Sequence, residues 1–85
     1  MRTSHALLLR LLHDPQFEFY RVCVLYVDRG APADRSTVYG THIRRLDRGW
    51  MEIESDTKVK FIPYHRIRRI VYDGKTLWKK DQLDG

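Results

Sequence analysis

Apolar residues near the start of the chain recur at the spacing of an α-helix. Thr3 and Ser4, two residue types that favour helix caps, precede a leucine-rich run that ends before Pro15. Because proline disfavours helical backbone at the residue before it, the helix should end there. The sequence therefore predicts one amphipathic helix over residues 4–13. The face expected to cover a sheet carries Leu8, Leu11 and Leu12.

After this helix, the pattern changes to short β-strands separated by turn residues. β-Branched and aromatic residues over 17–28 predict a central strand with Tyr20, Val22, Val24 and Tyr26 on one side. Further strands are expected at 37–39, 50–54, 58–62, 67–72 and 76–79, with 43–46 either a strand or a single turn. This pattern predicts an α+β fold, with the N-terminal helix packed on a strongly bent, mostly antiparallel five- to six-stranded sheet or small open barrel.

The hairpin of residues 50–62 has the clearest alternation. A three-residue connection, 55–57, would join its strands and place Met51 and Ile53 inward with Val59 and Phe61. The outer face would then pair Glu52 and Glu54 with Lys58 and Lys60. Pro63 has no N–H for the ladder and should end the hairpin, and residues 64–66 should form a turn, of 3₁₀ type if helical.

Length and composition exclude several classes of protein. Eighty-five residues predict one domain, assigned to residues 1–80, with 81–85 as a flexible polar tail. The single cysteine, Cys23, allows no disulfide within the chain and does not hold zinc by itself. No stretch is apolar and long enough for a signal peptide or a membrane span, so a cytoplasmic location without membrane contact is expected. Metal-ligand spacing and phosphate-binding loops are not found in the sequence, so no metal or other cofactor is expected.

The net charge is +5, from 16 Lys+Arg and 11 Asp+Glu, which points to a polyanionic partner. Residues 43–85 hold eleven of the cations and seven of the acids, so the excess lies mainly in that half. A solvated surface in an arginine-rich chain would give the same counts. Charge alone therefore does not decide between nucleic-acid binding and mere solubility.

Three predicted turns place arginine beside glycine, histidine or an aromatic residue. They are Asp28-Arg29-Gly30, Arg48-Gly49-Trp50 and Pro63-Tyr64-His65-Arg66. A guanidinium binds phosphate through two parallel hydrogen bonds, and an imidazole N–H is a suitable second donor. A glycine turn can leave backbone N–H groups open to an anion. Tyr64 or Trp50 beside an arginine could stack an unpaired base. Each turn also has an ordinary explanation as a kinked connection with a solvated arginine and a packed aromatic ring.

Catalysis is a separate hypothesis, in which two histidines flank a phosphodiester. His42 and His65 are the pair that a metal-independent phosphodiesterase would use. Their separation along the chain neither supports nor excludes contact. Since no motif of a known catalytic class accompanies them, binding without catalysis is the favoured interpretation.

The turn motifs together resemble a small, mainly archaeal family, formerly of unknown function and described as a predicted RNA cyclic-group end recognition domain. The resemblance spans the leucine-rich helix to Trp78, and its most specific part is Ile62-Pro63-Tyr64-His65-Arg66-Ile67. It implies a non-catalytic RNA module that accompanies RNA-end-processing enzymes. The polar positions it matches are Asp28, Arg29, Arg48, His65 and Arg66.

We therefore expect a single RNA-end recognition domain that binds phosphorylated or 2′,3′-cyclic phosphate RNA ends, in RNA end processing or repair. The expected RNA- and phosphate-binding residues are Asp28, Arg29, Gly30, Arg48, Tyr64, His65 and Arg66, with Trp50 as a candidate for base stacking. Two alternatives remain: a phosphodiesterase acting on cyclic ends, and an adaptor for nucleic acid or protein that does not distinguish ends. The role of His42 and the oligomeric state are left open.

Overall fold

One helix precedes seven short strands in the computed structural model of the chain, which describes residues 3–80. The elements are α1 (Ser4–His13), β1 (Val22–Val27), β2 (Arg35–Tyr39), β3 (Ile43–Leu46), β4 (Trp50–Ser55), β5 (Lys58–Pro63), β6 (Ile67–Tyr72) and β7 (Lys75–Lys79). The strands form a four-stranded sheet, β2-β1-β6-β7, and a three-stranded sheet, β3-β4-β5. Every pairing is antiparallel, which confirms the α+β class. The tail predicted at 81–85 lies outside the described residues.

The chain crosses between the two sheets at Gly40–His42 and again at Tyr64–Arg66. Each crossing is one turn of 3₁₀ helix, in which the N–H of the next residue bonds back to the Gly40 or Tyr64 carbonyl. That N–H does not extend a strand ladder, so strand pairing is interrupted at both crossings. The prediction of one bent sheet or small open barrel, and of five or six strands, is therefore wrong. The predicted turn at 64–66 is confirmed.

Helix α1 begins and ends where the sequence predicts. The Thr3 hydroxyl accepts a hydrogen bond from the Ala6 N–H at 3.0 Å, and Asp14, before Pro15, has extended backbone. The buried face consists of Ser4, Leu7, Leu8 and Leu11, which follow the i, i+3, i+4, i+7 spacing. Leu12, predicted on this face, lies beyond that stripe and is 43% exposed. No helix among residues 3–80 has the length and apolarity needed to cross a membrane.

Strand β1 is central in its sheet, as predicted, and turns Val22, Val24 and Tyr26 into the core. It begins later than expected, because Phe19–Arg21 form a 3₁₀ turn that leaves Tyr20 exposed. Its partner β2 begins earlier than expected, at Arg35, because the 28–34 loop is closed by a hydrogen bond from the Asp28 N–H to the Asp34 carbonyl. The last strand likewise starts one residue early, directly after the predicted Asp73-Gly74 turn.

The β4–β5 hairpin has a different register from the predicted one. Ser55 pairs with Lys58, so the turn has two residues rather than three. A shift of one residue exchanges the two faces of a strand. Ile62 is consequently buried, whereas Phe61, predicted inward, is 59% exposed and Val59 is exposed as well.

The same register separates the glutamates from the lysines predicted to pair with them. Glu52 lies opposite Phe61 and Glu54 opposite Val59. Both carboxylates instead contact Arg44 of β3, each at 3.3 Å. The predicted cross-strand pairs with Lys58 and Lys60 are therefore wrong, and Lys60 is available for another partner.

The first crossing between the sheets depends on a glycine. Gly40 is buried against the backbone of Phe19, and a Cβ at this position would overlap the Phe19 carbonyl. We expect Gly40→Ala to lower the free energy of unfolding by about 1–3 kcal/mol through overpacking. Gly49→Ala is the matched control, because a Cβ there meets open space. Urea unfolding of both variants checks this, and equal midpoints would contradict the packing at this crossing.

Candidate nucleic-acid interface

The second crossing, Tyr64–Arg66, contains the most specific motif in the sequence and joins β5 to β6. Pro63 leads into it with φ −62°, a value that proline adopts without strain. Tyr64 is half-buried, whereas His65 and Arg66 are exposed. The crossing therefore directs one side chain into the protein and presents an imidazole and a guanidinium at the surface.

Tyr64 attaches this crossing to the predicted Arg48 turn. Its hydroxyl donates to the Asp47 carbonyl at 2.6 Å, and its N–H donates to the Gly49 carbonyl at 3.4 Å. The His5 ring stacks on the phenol ring, with 4.2 Å between centroids and 15° between planes. One face of the ring is thus already covered, which suits Tyr64 to holding the turn more than to stacking a base. Arg48 is exposed in the attached turn.

On its other side, the crossing leads to Ile67, which pairs with Tyr26 and so brings the crossing near Asp28, the residue after β1. The Ser36 hydroxyl donates to Asp28 Oδ2 at 2.6 Å, and Lys60 Nζ lies 3.6 Å from the same oxygen. The Ser36 hydrogen bond, together with the positive charges of Lys60 and Arg66, lowers the pKa of Asp28 below its ordinary value. Asp28 is therefore ionised at neutral pH, in a cluster with two cations.

Lys60 is a member of this cluster that the sequence analysis does not identify. A three-residue turn would place Lys60 on the same face as the glutamates of β4. A two-residue turn at 56–57 reverses that assignment, and Asp56 in the positive-φ region, at φ 53°, supports such a turn. The alternative turn length is the one signal in the sequence that points to Lys60.

The Arg29-Gly30 turn is closed by a carboxylate. Gly30 has φ 97°, as expected for a glycine turn, but its N–H donates to Asp34 Oδ1 at 3.3 Å. The expected anion-binding concavity of open N–H groups is therefore not formed at this position. Arg29 is exposed, and Asp28 contacts Ser36 and Lys60.

Trp50 lies on the outer face of the three-stranded sheet. It packs edge-to-face on Phe61, with 6.4 Å between ring centroids. Both rings are largely exposed, so a base could reach them. The alternation of β4 places Glu52 and Glu54 on the same face, however, and these carboxylates oppose the approach of phosphate.

The two histidines of the catalytic hypothesis belong to different crossings. His42 lines a cleft of about 280 Å³ between the sheets, together with residues of β2 and the β4–β5 turn. His65 is not among the residues that line this cleft. The geometry therefore gives no support to a paired-histidine site. Within residues 3–80, no group of three His, Cys, Asp or Glu side chains could hold a metal ion.

Comparison with known proteins matches residues 1–80 to the family model of the MJ1316 RNA cyclic group end recognition domain. The chain belongs to this family. The match spans all three arginine-containing turns and confirms the resemblance seen in the sequence. No curated protein and no solved structure matches the chain.

In this family member, Tyr64 attaches the second crossing to the Arg48 turn, and its ionisation at alkaline pH is predicted to lower the stability of the fold. Burial, and then the nearby Asp47 carboxylate, raise the pKa of Tyr64 to about 12. Because the folded protein favours the neutral phenol, Tyr64 contributes fully to the free energy of unfolding at pH values below the pKa of a tyrosine in the unfolded chain. That contribution is lost as pH rises through about 12. An absorbance titration should show one late-ionising phenol fewer in Tyr64→Phe than in the unmodified protein, in which burial also raises the pKa of Tyr26. An unchanged number of late-ionising phenols in that variant would contradict the assignment.

Proposed function

We propose that this chain is an RNA-binding module for RNA ends that carry a 2′,3′-cyclic phosphate or an open phosphate. The observation that supports this best is the position of the Tyr64–Arg66 crossing. Tyr64 joins it to the Arg48 turn, and the pairing of Ile67 with Tyr26 brings it near Asp28, which Lys60 contacts. The family description, RNA cyclic group end recognition, agrees with this function.

The proposed anion site uses Arg66 and His65 as its central donors. Both are exposed, so a ligand reaches them without rearrangement of the core. Arg66 offers a planar fork for two phosphate oxygens, and His65 offers a single N–H. Arg48 lies in the turn that is bonded to Tyr64, and Arg29 directly follows Asp28, so both are assigned to the same positive surface, to which Lys60 adds a further cation.

The charge of the cluster matches a cyclic phosphate better than an open one. Lys60 and Arg66 against ionised Asp28 leave one net positive charge. A 2′,3′-cyclic phosphate is a diester with a single negative charge, whereas a terminal phosphate monoester carries about −1.5 to −2 at pH 7. Asp28 therefore repels the monoester more strongly. We infer that open phosphate ends bind as well, and that Asp28 offsets part of the stronger attraction between their extra charge and the two cations.

This function is recognition rather than turnover. A module of this size would act beside an enzyme that forms, seals or trims such ends, and RNA end processing or repair is the proposed setting. Trp50 remains a candidate for stacking the terminal base, limited by the carboxylates on its face.

The direct test compares oligoribonucleotides of one sequence with hydroxyl, 3′-phosphate or 2′,3′-cyclic phosphate ends, and a circular RNA. We expect the cyclic end to bind about tenfold more tightly than the hydroxyl end, and Arg66→Ala or His65→Ala to remove most of that preference. Arg10→Ala is the control, because Arg10 is an exposed cation on α1 whose carboxylate contact is long, at 3.9 Å. Fluorescence anisotropy at one fixed salt concentration measures all of these affinities.

The result that would contradict the proposal is equal affinity of the unmodified protein for all four RNAs. Equal loss of preference in the Arg10 control would likewise show that only total charge matters. Hydrolysis of the cyclic end with EDTA present, if lost in His65→Ala, would replace recognition by catalysis.

The charge argument gives a separate prediction for Asp28→Asn. Removing this carboxylate relieves more repulsion for the open phosphate than for the cyclic one. We expect the affinity for the 3′-phosphate end to rise several-fold, with a smaller rise for the cyclic end, so that the ratio of the two affinities shifts in favour of the open end. The same anisotropy titration measures both. An equal change for the two ends would show that Asp28 does not set the preference.

A further inference from the structure

One face of the four-stranded sheet is left open by the fold. Register defines its members, because residues directly opposite each other point to the same side. We call these residues the open face: Cys23, Leu25 and Val27 of β1, Arg35, Thr37 and Tyr39 of β2, Arg69 and Val71 of β6, and Thr76 and Lys79 of β7.

The core lies entirely on the opposite side of this sheet. Val22, Val24 and Tyr26 alternate with the β1 residues of the open face, and they are buried in the same cluster as the leucines of α1. None of the open-face residues is buried, although β1 is a central strand. Over residues 3–80, no element of the chain packs across this four-stranded surface. Its β2 edge, at Thr37 and Tyr39, also lines the cleft beside the β4–β5 turn.

The charge of the open face has a single sign. Arg35, Arg69 and Lys79 lie on it, and none of its strand positions carries a carboxylate. The outer face of the three-stranded sheet differs, since Glu52 and Glu54 lie there with Arg44. Of the two outer sheet faces, the open face is thus the one that complements a polyanion.

The open face also has an aromatic residue that can stack a base. Tyr39 is 56% exposed on the edge strand β2, opposite Cys23. Beside it, Leu25 and Val71 give an apolar floor between the cations. Cations for the backbone and an exposed ring for a base are what proteins use to bind single strands without reading their sequence.

The open face begins near the proposed anion site at His65 and Arg66, which we call the end site. Arg35 pairs with Val27, directly before Asp28, so one end of the open face lies at the strand end that carries Asp28, whose side chain turns to Ser36 and Lys60 on the opposite side of the sheet. From Val27 back to Cys23 the face extends for roughly 13 Å along β1, at the usual rise of a strand. A strand whose terminus lies at Arg66 and His65 could continue across this surface towards Tyr39.

We propose that the open face binds the single-stranded RNA that leads to the recognised end. This rests on the proposed function and names the second half of its ligand: an unpaired strand, held by its phosphates and by stacking of one base on Tyr39. In this arrangement the end site supplies discrimination and the open face supplies affinity that grows with the length of the strand.

The test separates the effect of RNA length from the effect of the chemical group at the RNA end. A dinucleotide and an octanucleotide, each with a hydroxyl or a cyclic phosphate end, are titrated against the protein and the double variant Arg69→Gln/Lys79→Gln. We expect the octanucleotide to bind the double variant about tenfold more weakly than it binds the unmodified protein. The salt slope should be shallower by about 1.4, since each phosphate neutralised on a single strand contributes about 0.7 and the variant removes two cations. The dinucleotide affinity, and the preference for the cyclic end, should be unchanged.

Tyr39→Ala tests base stacking independently of charge. The octanucleotide should bind this variant about tenfold more weakly, with its salt slope unchanged, because stacking on this ring neutralises no phosphate.

Arg10→Gln/Lys58→Gln is the matched control for the Arg69→Gln/Lys79→Gln variant, as it removes the same charge from α1 and the β4–β5 hairpin. Circular dichroism confirms that each variant is folded before it is compared.

Equal octanucleotide affinities for the Arg69/Lys79 variant and its control would overturn the inference. So would a concentration-dependent dimer that the Arg69/Lys79 variant or Tyr39→Ala abolishes, because the face would then cover a second copy. Failure of the proposed function looks different: the unmodified protein would show no preference for the cyclic end at either length.

Discussion

The hydrogen bond from the Tyr64 hydroxyl to the Asp47 carbonyl holds together the parts of the chain on which the site depends. Tyr64 also lies under His5 of α1 and starts the 3₁₀ turn that leads into β6. A half-buried phenol needs a partner for its hydroxyl, and this carbonyl meets that need at 2.6 Å. One side chain thereby fixes the helix, the Arg48 turn and the second crossing relative to one another, which leaves His65 and Arg66 at a defined place on the surface.

Much of the local structure follows from single residues that leave the backbone little choice. Proline ends α1, and Asp73-Gly74, both at positive φ, makes the tight turn that its sequence predicts. The register of the β4–β5 hairpin does not follow in this way. Two- and three-residue turns fit the same residues, and the choice between them decides whether Phe61 or Ile62 is buried. The division into two sheets also escapes local patterns, because it depends on whether a 3₁₀ turn or a bent strand joins the elements.

In the candidate site, too, the motifs identify several of the residues, whereas the contacts between them depend on the tertiary structure. The motifs predict that Asp28, His65 and Arg66 matter together, and the structure brings Asp28 and Arg66 into one electrostatic cluster. Lys60 joins that cluster only through tertiary structure, since it is distant in sequence from Asp28 and the predicted register turns it to the other face. The net charge of the chain is also a poor guide to the position of the site, because it does not show which cations are already paired. Arg44, for example, is compensated by Glu52 and Glu54 of the neighbouring strand.

An exposed anion site of this kind has a limited affinity, and this explains why a second surface would be needed. Ion pairs in contact with water contribute about 0–1 kcal/mol each, so a single phosphate at Arg66 and His65 would bind weakly. Contacts along a strand add affinity without sequence information, whereas the end contacts decide which molecules are held. The Asp28 carboxylate reduces the positive charge at the end site, which favours selectivity over strength. The carboxylate-free open face of the four-stranded sheet has the opposite character, and affinity from this face would let the end site remain selective.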